Sequence, residues 1–238
     1  MIADELIAFC RDAGSSLERD GFVFCKDLSP HLSTLDIARR LGSIVEIEKL
    51  LPSAGIPTVQ SLLPTTTDRA PTNRYSGRYG LDAFPLHTDL AHWAIPPRYF
   101  LLRCLVGTNN VETKLLSANC IFDKLGKTLL QKAVFRVRKH RLGSSGLLRA
   151  LSRFCEQDLF RWDSIFLEPV NDHAMTLKHM MDGSMFDGIM RVCLRDPGDT
   201  LLLDNWRFLH GRTAVPLGSD RQIERVYLFE VKRNDCES

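Results

Sequence analysis

Helical periodicity in this chain is confined to its front and to a middle insert, with apolar strand-like runs on either side, an order that fits an antiparallel double sheet better than repeated βαβ units. The front reads helix, strand, helix. "IADELIAFCRDAGSSLERD" carries apolar residues at Ile2, Leu6, Phe9 and Cys10, and "GFVFCKDL" reads as a strand. "SPHLSTLDIARRLGSI" resumes the helical period, with Ser33 or Thr34 to cap it and Gly42 to end it. Strands are predicted at "RYFLLRCLV" and "TKLLS". The insert predicts one helix over "ANCIFDKLGKTLLQKAV", capped by Ser117, and a loop followed by a helix within "LGSSGLLRALSRFCEQ", while 163–190 shows no clear period. A turn at "RDPGD" then launches the strand "TLLLDN", and "RQIERVYLFEVKR" reads as a long strand with mostly alternating character. The expected fold is mainly β with flanking helices.

No repeat or composition shift divides the 238 residues, so 1–238 is expected to form one domain. Charged residues at 25% and hydrophobic ones at 44% argue against disorder. A formal net charge of +2 gives no whole-molecule field suited to nucleic acid or a membrane surface. No apolar run approaches the ~20 residues of a membrane span, and "MIADELIAFC" lacks the layout of a secretion signal, so a cytoplasmic location is expected. Seven scattered cysteines with no C-x-x-C pair read as reduced thiols.

The chemistry concentrates in a few places. In "FPLHTDLAHWAIPPRYFLLRCL", His87 and Asp89 stand two apart on an extended segment, so imidazole and carboxylate share a face and can converge on one cation. Alone, such a pair is more often a surface histidine beside a capping aspartate. A third candidate, His210, lies at the end of the apolar run "LLLDNWRFLHGR". Two histidines and one carboxylate on one face of iron leave the other positions open for oxygen chemistry, although zinc hydrolysis uses similar ligands. Arg221 and Arg225 stand four apart on the last strand, hence on one face, and an inward guanidinium suits two-point capture of a carboxylate. The plainer reading of both is an edge strand with solvated arginines. The polar stretch "PTTTDRAPTNR", 64–74, predicts an exposed loop placed to act as a lid.

Taken in order, "HTDLAHWAIPPRYFLLRCL", "ETKLL", "GDTLLLDNWRFLHGR" and Arg221 eleven residues past His210 resemble the iron(II)- and 2-oxoglutarate-dependent oxygenases of the taurine dioxygenase family. "HTDL...PP...LL.C" and "DNWRFLHGR" are most similar in wording to its butyrobetaine and trimethyllysine hydroxylase branch, and the front "GFVFCKDL" and "LDIARRLGSI" extend the likeness over nearly the whole chain. The resemblance implies a double-stranded β-helix, a jelly-roll or cupin-like core, with the metal at one mouth. It implies iron ligation by His87, Asp89 and His210. Arg221 matches the arginine that pairs with the distal carboxylate of 2-oxoglutarate, and Thr113 in "ETKLL" the threonine that assists it. Arg225 matches a second arginine that in some members holds an acidic substrate group. Where members commonly carry Gly-Gly ahead of that threonine strand, this chain has "TNNVETKLL". The implied reaction consumes 2-oxoglutarate and O2, releases succinate and CO2, and oxidises, most simply hydroxylates, a C–H bond. Related halogenases have a small residue at the position of Asp89, so its carboxylate argues against halogenation.

The expected substrate is a small polar metabolite such as an amino acid. Tyr75 and Trp93, with Tyr79, Phe84 and His92 nearby, are candidate pocket walls, although such aromatics are more often core. Asp204 or Asn205 is the expected partner of an iron-bound imidazole. Two rival functions remain on these residues. The basic stretch "FRVRKHRLG", with Arg136, Arg138, Lys139, His140 and Arg141, suggests a nucleic-acid or carrier-protein binding module, though a half-exposed strand explains it more simply, and no nucleic-acid partner is expected. A metal-dependent, non-oxidative enzyme on the same fold is the other.

Overall fold

The computed structural model describes residues 2–72, 74–138, 146–183 and 186–232. The front is as the periodicity predicts, α1 (Ile2–Asp20), β1 (Phe22–Cys25) and α2 (Thr34–Leu41), and a short β2 (Gly42–Ile44) follows that the periodicity does not foresee. Ser33, not Thr34, caps α2 by accepting the amide of Asp36, and the helix stops against Gly42. A short α3 (Ile47–Leu50), β3 (Gln60–Leu62) and α4 (Tyr75–Tyr79) lead into β4 (Phe84–His87), β5 (Tyr99–Val106) and β6 (Glu112–Ser117).

The insert departs from expectation twice. Ser117 does cap a helix, but Gly126, at φ +76°, lies outside the right-handed helical region and splits it into α5 (Ala118–Leu125) and α6 (Lys127–Lys132). After β7 (Val134–Val137), the described part of "LGSSGLLRALSRFCEQ" is extended, not helical. It forms β8 (Leu147–Arg149) and β9 (Leu151–Phe154), which turns through Cys155 and Glu156, both at positive φ, into β10 (Gln157–Phe160). Residues 142–145 of that stretch lie outside the described residues. Over so short a run the apolar spacing fits both periods, and antiparallel pairing of β8 with β7 and β9 with β10 decides it. Then come β11 (Leu167–Pro169), α7 (Asp172–Gly183), β12 (Met190–Cys193), β13 (Thr200–Asp204), β14 (Phe208–Arg212) and β15 (Gln222–Val231).

Two antiparallel sheets carry the architecture. The larger runs β1-β13-β5-β15-β2, with β3 also on β15, and the smaller runs β12-β6-β14-β4. Strand alternation decides what faces what. Phe100, Leu102, Leu201, Leu203, Ile223 and Tyr227 from the larger sheet meet Leu115 and Phe208 from the smaller. The alternate residues Tyr99, Leu101, Leu202, Val226 and Leu228 pack under α1 and α2. Leu116 and Leu209, on the outer face of the smaller sheet, join Ile121, Leu130, Phe135, Trp162 and Leu177 of the insert. The insert therefore buttresses the outside of the smaller sheet, and the space between the sheets is left for the residues described next. No helix among the described residues is long and apolar enough to cross a membrane.

Candidate functional site

His87 ends β4 and His210 lies within β14, and the antiparallel register sets the two directly opposite each other. Opposed residues project to the same face, and the imidazole centroids are 4.3 Å apart. The register slips between His210 and Arg212. Gly211 sits in that slip, where a Cβ would stand 2.6 Å from the Phe84 carbonyl oxygen. Only the absent side chain lets β4 come this close.

Asp89 lies beyond the end of β4, so no ladder holds it. Asn205 does: its Oδ1 accepts the Asp89 amide at 2.7 Å, and its Nδ2 donates to the carbonyls of Asp89 and Pro97, both at 3.0 Å. On one flank Thr88 donates its amide to the Trp162 carbonyl at 2.8 Å. On the other, the buried Arg161 guanidinium donates to the carbonyls of Ala91, Trp93 and Ala94. Leu90, between these clamps, is held at φ +53°, a conformation that costs a non-glycine residue about 1–3 kcal/mol.

One donor atom from each of His87, Asp89 and His210 lies within 4.8 Å of the other two. Asp89 Oδ1 is 3.7 Å from the Nε2 of each imidazole, and all three residues are buried. His87 Nδ1 lies 2.9 Å from the Pro85 carbonyl, an arrangement that places a proton on Nδ1 and turns Nε2 toward Asp89. Neither Asp204 nor Asn205 fills the role expected of them at an imidazole. Asp204 accepts from Arg98 at 3.1 Å and from the Trp206 amide at 3.0 Å, while Asn205 holds the Asp89 backbone. His210 Nδ1 is enclosed without a hydrogen bond among the described residues. Burial, helped by His87 and Arg225 and opposed by Asp89, lowers the His210 pKa to about 3, so its imidazole is neutral at pH 7. Burial alone would raise the Asp89 carboxyl, but Arg225, His210 and His87 together hold it well below the usual carboxylate range. Two imidazoles and one carboxylate, converging from one side, suit a first-row divalent metal with positions left open.

Arg221 directly precedes β15 and is 7% exposed. Among the described residues nothing accepts a hydrogen bond from its guanidinium, and its Nε is sealed from solvent. Burial lowers its pKa. A buried cation without an anion is a seat prepared for one. Thr113 is buried on β6, in register with Arg212 of β14. Arg225, four residues beyond Arg221, donates from Nη1 to Asp89 Oδ2 at 2.6 Å and from Nη2 to Gln60 Oε1 at 2.7 Å. The Tyr75 ring stacks on His87 at 3.9 Å, with Tyr79 and Phe84 in the same aromatic group. Trp93 packs, partly buried, against the inter-sheet cluster, and the His92 ring lies 5.0 Å from Phe166.

Three polar residues at the site carry no signal in the sequence: Gln60, Arg161 and Asp163. Asp163 is buried, and its Oδ1 accepts the amides of Ile165 at 2.7 Å and Phe166 at 2.8 Å. Burial raises its pKa to about 6, against the pull of His87 and those amides. Of the basic stretch, Arg136 is paired with Glu168 at 2.9 Å, while Lys139, His140 and Arg141 lie outside the described residues, as does Arg233.

No protein-family description matches the chain, and no curated protein matches it in sequence. Solved structures do match in fold. An asparagine oxygenase in complex with Fe(II), 2S,3S-3-hydroxyasparagine and succinate superposes with a TM-score of 0.64 at 18% identity, over 98% of this chain and 79% of that one. The non-heme iron oxygenase OrfP, in complex with Fe and alpha-ketoglutaric acid, gives 0.65 at 18% identity, over 94% and 80%. PvcB from Pseudomonas aeruginosa gives 0.63 at 13% identity, over 93% and 81%. The fold is thus the double-stranded β-helix of these oxygenases.

Proposed function

We propose that residues 1–238 form one iron(II)- and 2-oxoglutarate-dependent dioxygenase domain that hydroxylates a C–H bond of a small amino-acid-type metabolite, with succinate and CO2 as co-products. The observation that carries this reading is a buried His–Asp–His cluster set between the same two sheets as a buried guanidinium with no acceptor among the described residues. The cluster alone would serve a hydrolase equally well; the empty-handed Arg221 is what a co-substrate with a second carboxylate requires.

His87, Asp89 and His210 would hold the iron, and the His210 imidazole is already in the neutral form that binding needs. Arg221 would take the distal carboxylate of 2-oxoglutarate through a charge-assisted pair, with the Thr113 hydroxyl assisting. Tyr75 and Trp93 would form walls of the substrate space, Tyr75 also fixing the plane of the His87 ring. When bound, iron and 2-oxoglutarate supply the activation of O2, and the protein aims it. The amino-acid reading is supported by complexes of the similar structures, which hold 3-hydroxyasparagine and hydroxyarginine. We prefer it to a carnitine-type substrate, for which only the motif wording speaks. Free thiols at the six described cysteines fit a reducing, cytoplasmic setting.

Anaerobic addition of Fe(II) and 2-oxoglutarate tests the assignment: a weak visible charge-transfer band is expected, and its absence with protein saturated in iron would refute the co-substrate site. Succinate release over an amino-acid panel then identifies the substrate. O2-independent turnover would point instead to a non-oxidative metalloenzyme.

A further inference from the structure

Arg221, just ahead of the last strand, and Arg225, within it, have opposite surroundings. The Arg221 guanidinium has no acceptor among the described residues, whereas two of the three guanidinium nitrogens of Arg225 are committed, to Asp89 Oδ2 at 2.6 Å and to Gln60 Oε1 at 2.7 Å. Gln60 comes from β3, which pairs with β15 so that Gln60 and Arg225 are register partners. The guanidinium is therefore anchored from its own sheet before it meets the carboxylate. The two oxygens of Asp89 are divided as a result. Oδ1 faces the imidazoles, 3.7 Å from each Nε2, and Oδ2 faces Arg225.

A carboxylate with both oxygens free can chelate a metal through both and so occupy two positions. A carboxylate whose outer oxygen is gripped by a guanidinium can offer only the other one. We infer that Arg225, steadied by Gln60, is a positioning residue that keeps Asp89 Oδ2 off the metal, so that Asp89 ligates through Oδ1 alone and a position stays open for the co-substrate. This rests on the metal and co-substrate reading of the site given above. It also assigns Arg225 a task other than holding an acidic group of the substrate, because the nitrogens that would do so already face Asp89 and Gln60.

The test uses full-length protein loaded with Co(II), whose visible d–d absorption weakens as coordination number rises, with no substrate present. Wild type should show a band that responds to 2-oxoglutarate. Arg225→Gln should bind Co(II) at least as tightly, show a weaker band, and need at least ten-fold more 2-oxoglutarate to change it. Arg225→Lys, which can still reach Oδ2, should recover most of the wild-type spectrum and affinity, a rescue that a merely structural role would not give. Gln60→Leu should move the same two readouts part of the way. If Arg225→Gln kept the wild-type band and 2-oxoglutarate affinity and raised only the substrate KM, the inference would be overturned in favour of a substrate anchor. A wild type that takes up no Co(II) would instead sink the metal reading itself.

Discussion

Replacing Arg221 with methionine should move two measurements in opposite directions. Methionine keeps much of the apolar stem and removes the charge. In the ligand-free protein the guanidinium is enclosed with no acceptor among the described residues, and its lowered pKa reports the same cost of burial. A buried polar group left unsatisfied costs about 1–3 kcal/mol. Its removal should therefore stabilise the metal-loaded, co-substrate-free protein by that amount. For a chain of this size each 1 kcal/mol is worth about 2–4 °C in Tm. With 2-oxoglutarate the sign reverses, because the lost charge-assisted pair is worth about 1.5–3 kcal/mol. That corresponds to about one to two powers of ten in Kd. Thermal melts of Co(II)-loaded protein over a 2-oxoglutarate series read both effects: the variant should start at a higher Tm, and its ligand-induced rise should need about 10- to 100-fold more 2-oxoglutarate. A variant that melts below wild type without ligand would show that the guanidinium is already satisfied. An unchanged ligand series would show that Arg221 is not the anion seat.

Asp89→Ala should abolish both metal uptake and turnover; iron-dependent succinate release at the wild-type rate would remove Asp89 from the ligand set. Gly211→Ala places a methyl where the Phe84 carbonyl already stands 2.6 Å from the Cβ position. It should push β4 away and weaken Co(II) binding at least ten-fold while circular dichroism stays near wild type, and unchanged affinity would argue that the strand pairing does not set the distance between the imidazoles. Asp163 has a folded pKa of about 6, above the unfolded value near 3.9. The group thus favours the folded state at low pH, and that contribution is lost as pH climbs from about 4 to about 6. Asp163→Asn should gain on wild type by about 2 kcal/mol between pH 4 and pH 7, read as diverging Tm profiles, and parallel profiles would contradict it.

How much of this could be read from residues alone follows the kind of force involved. Apolar runs long enough to have one reading, such as those of β5 and β13, announce their strands, because burial on both faces of a sheet leaves no other use for them, and β15 announces itself by alternation. Short runs do not, and 147–154 takes its extended form from pairing partners that lie elsewhere in the chain. Spacing likewise suffices to bring His87 and Asp89 together, since two residues on an extended segment share a face. It is silent on Gln60, Arg161 and Asp163. Each is a lone polar residue whose role exists only after remote segments meet, as when Trp162 bonds to Thr88 across 74 positions of sequence. The inward face of Arg225 is plain from alternation, but its partner is not, because the sequence does not say which oxygen of Asp89 turns toward it.

The three proposed ligands are held by two different kinds of structure. His87 and His210 are set by a β-ladder, whose register is specified by every pair along it and is expensive to slip. Asp89 has no such support, and it follows a strand end with a left-handed residue behind it. Its place is fixed by polar side chains from three separate elements: Asn205 on its backbone, Arg225 on its outer oxygen and Arg161 on the loop beyond. Each of those clamps satisfies groups that would otherwise be buried unpaired, so each is strong only while the others keep water out. Loosening of the centre should consequently begin at Asp89 rather than at the imidazoles. The carboxylate, not the histidine pair, is the adjustable member of the site, and the residues that grip it control how many positions the metal would have left to use.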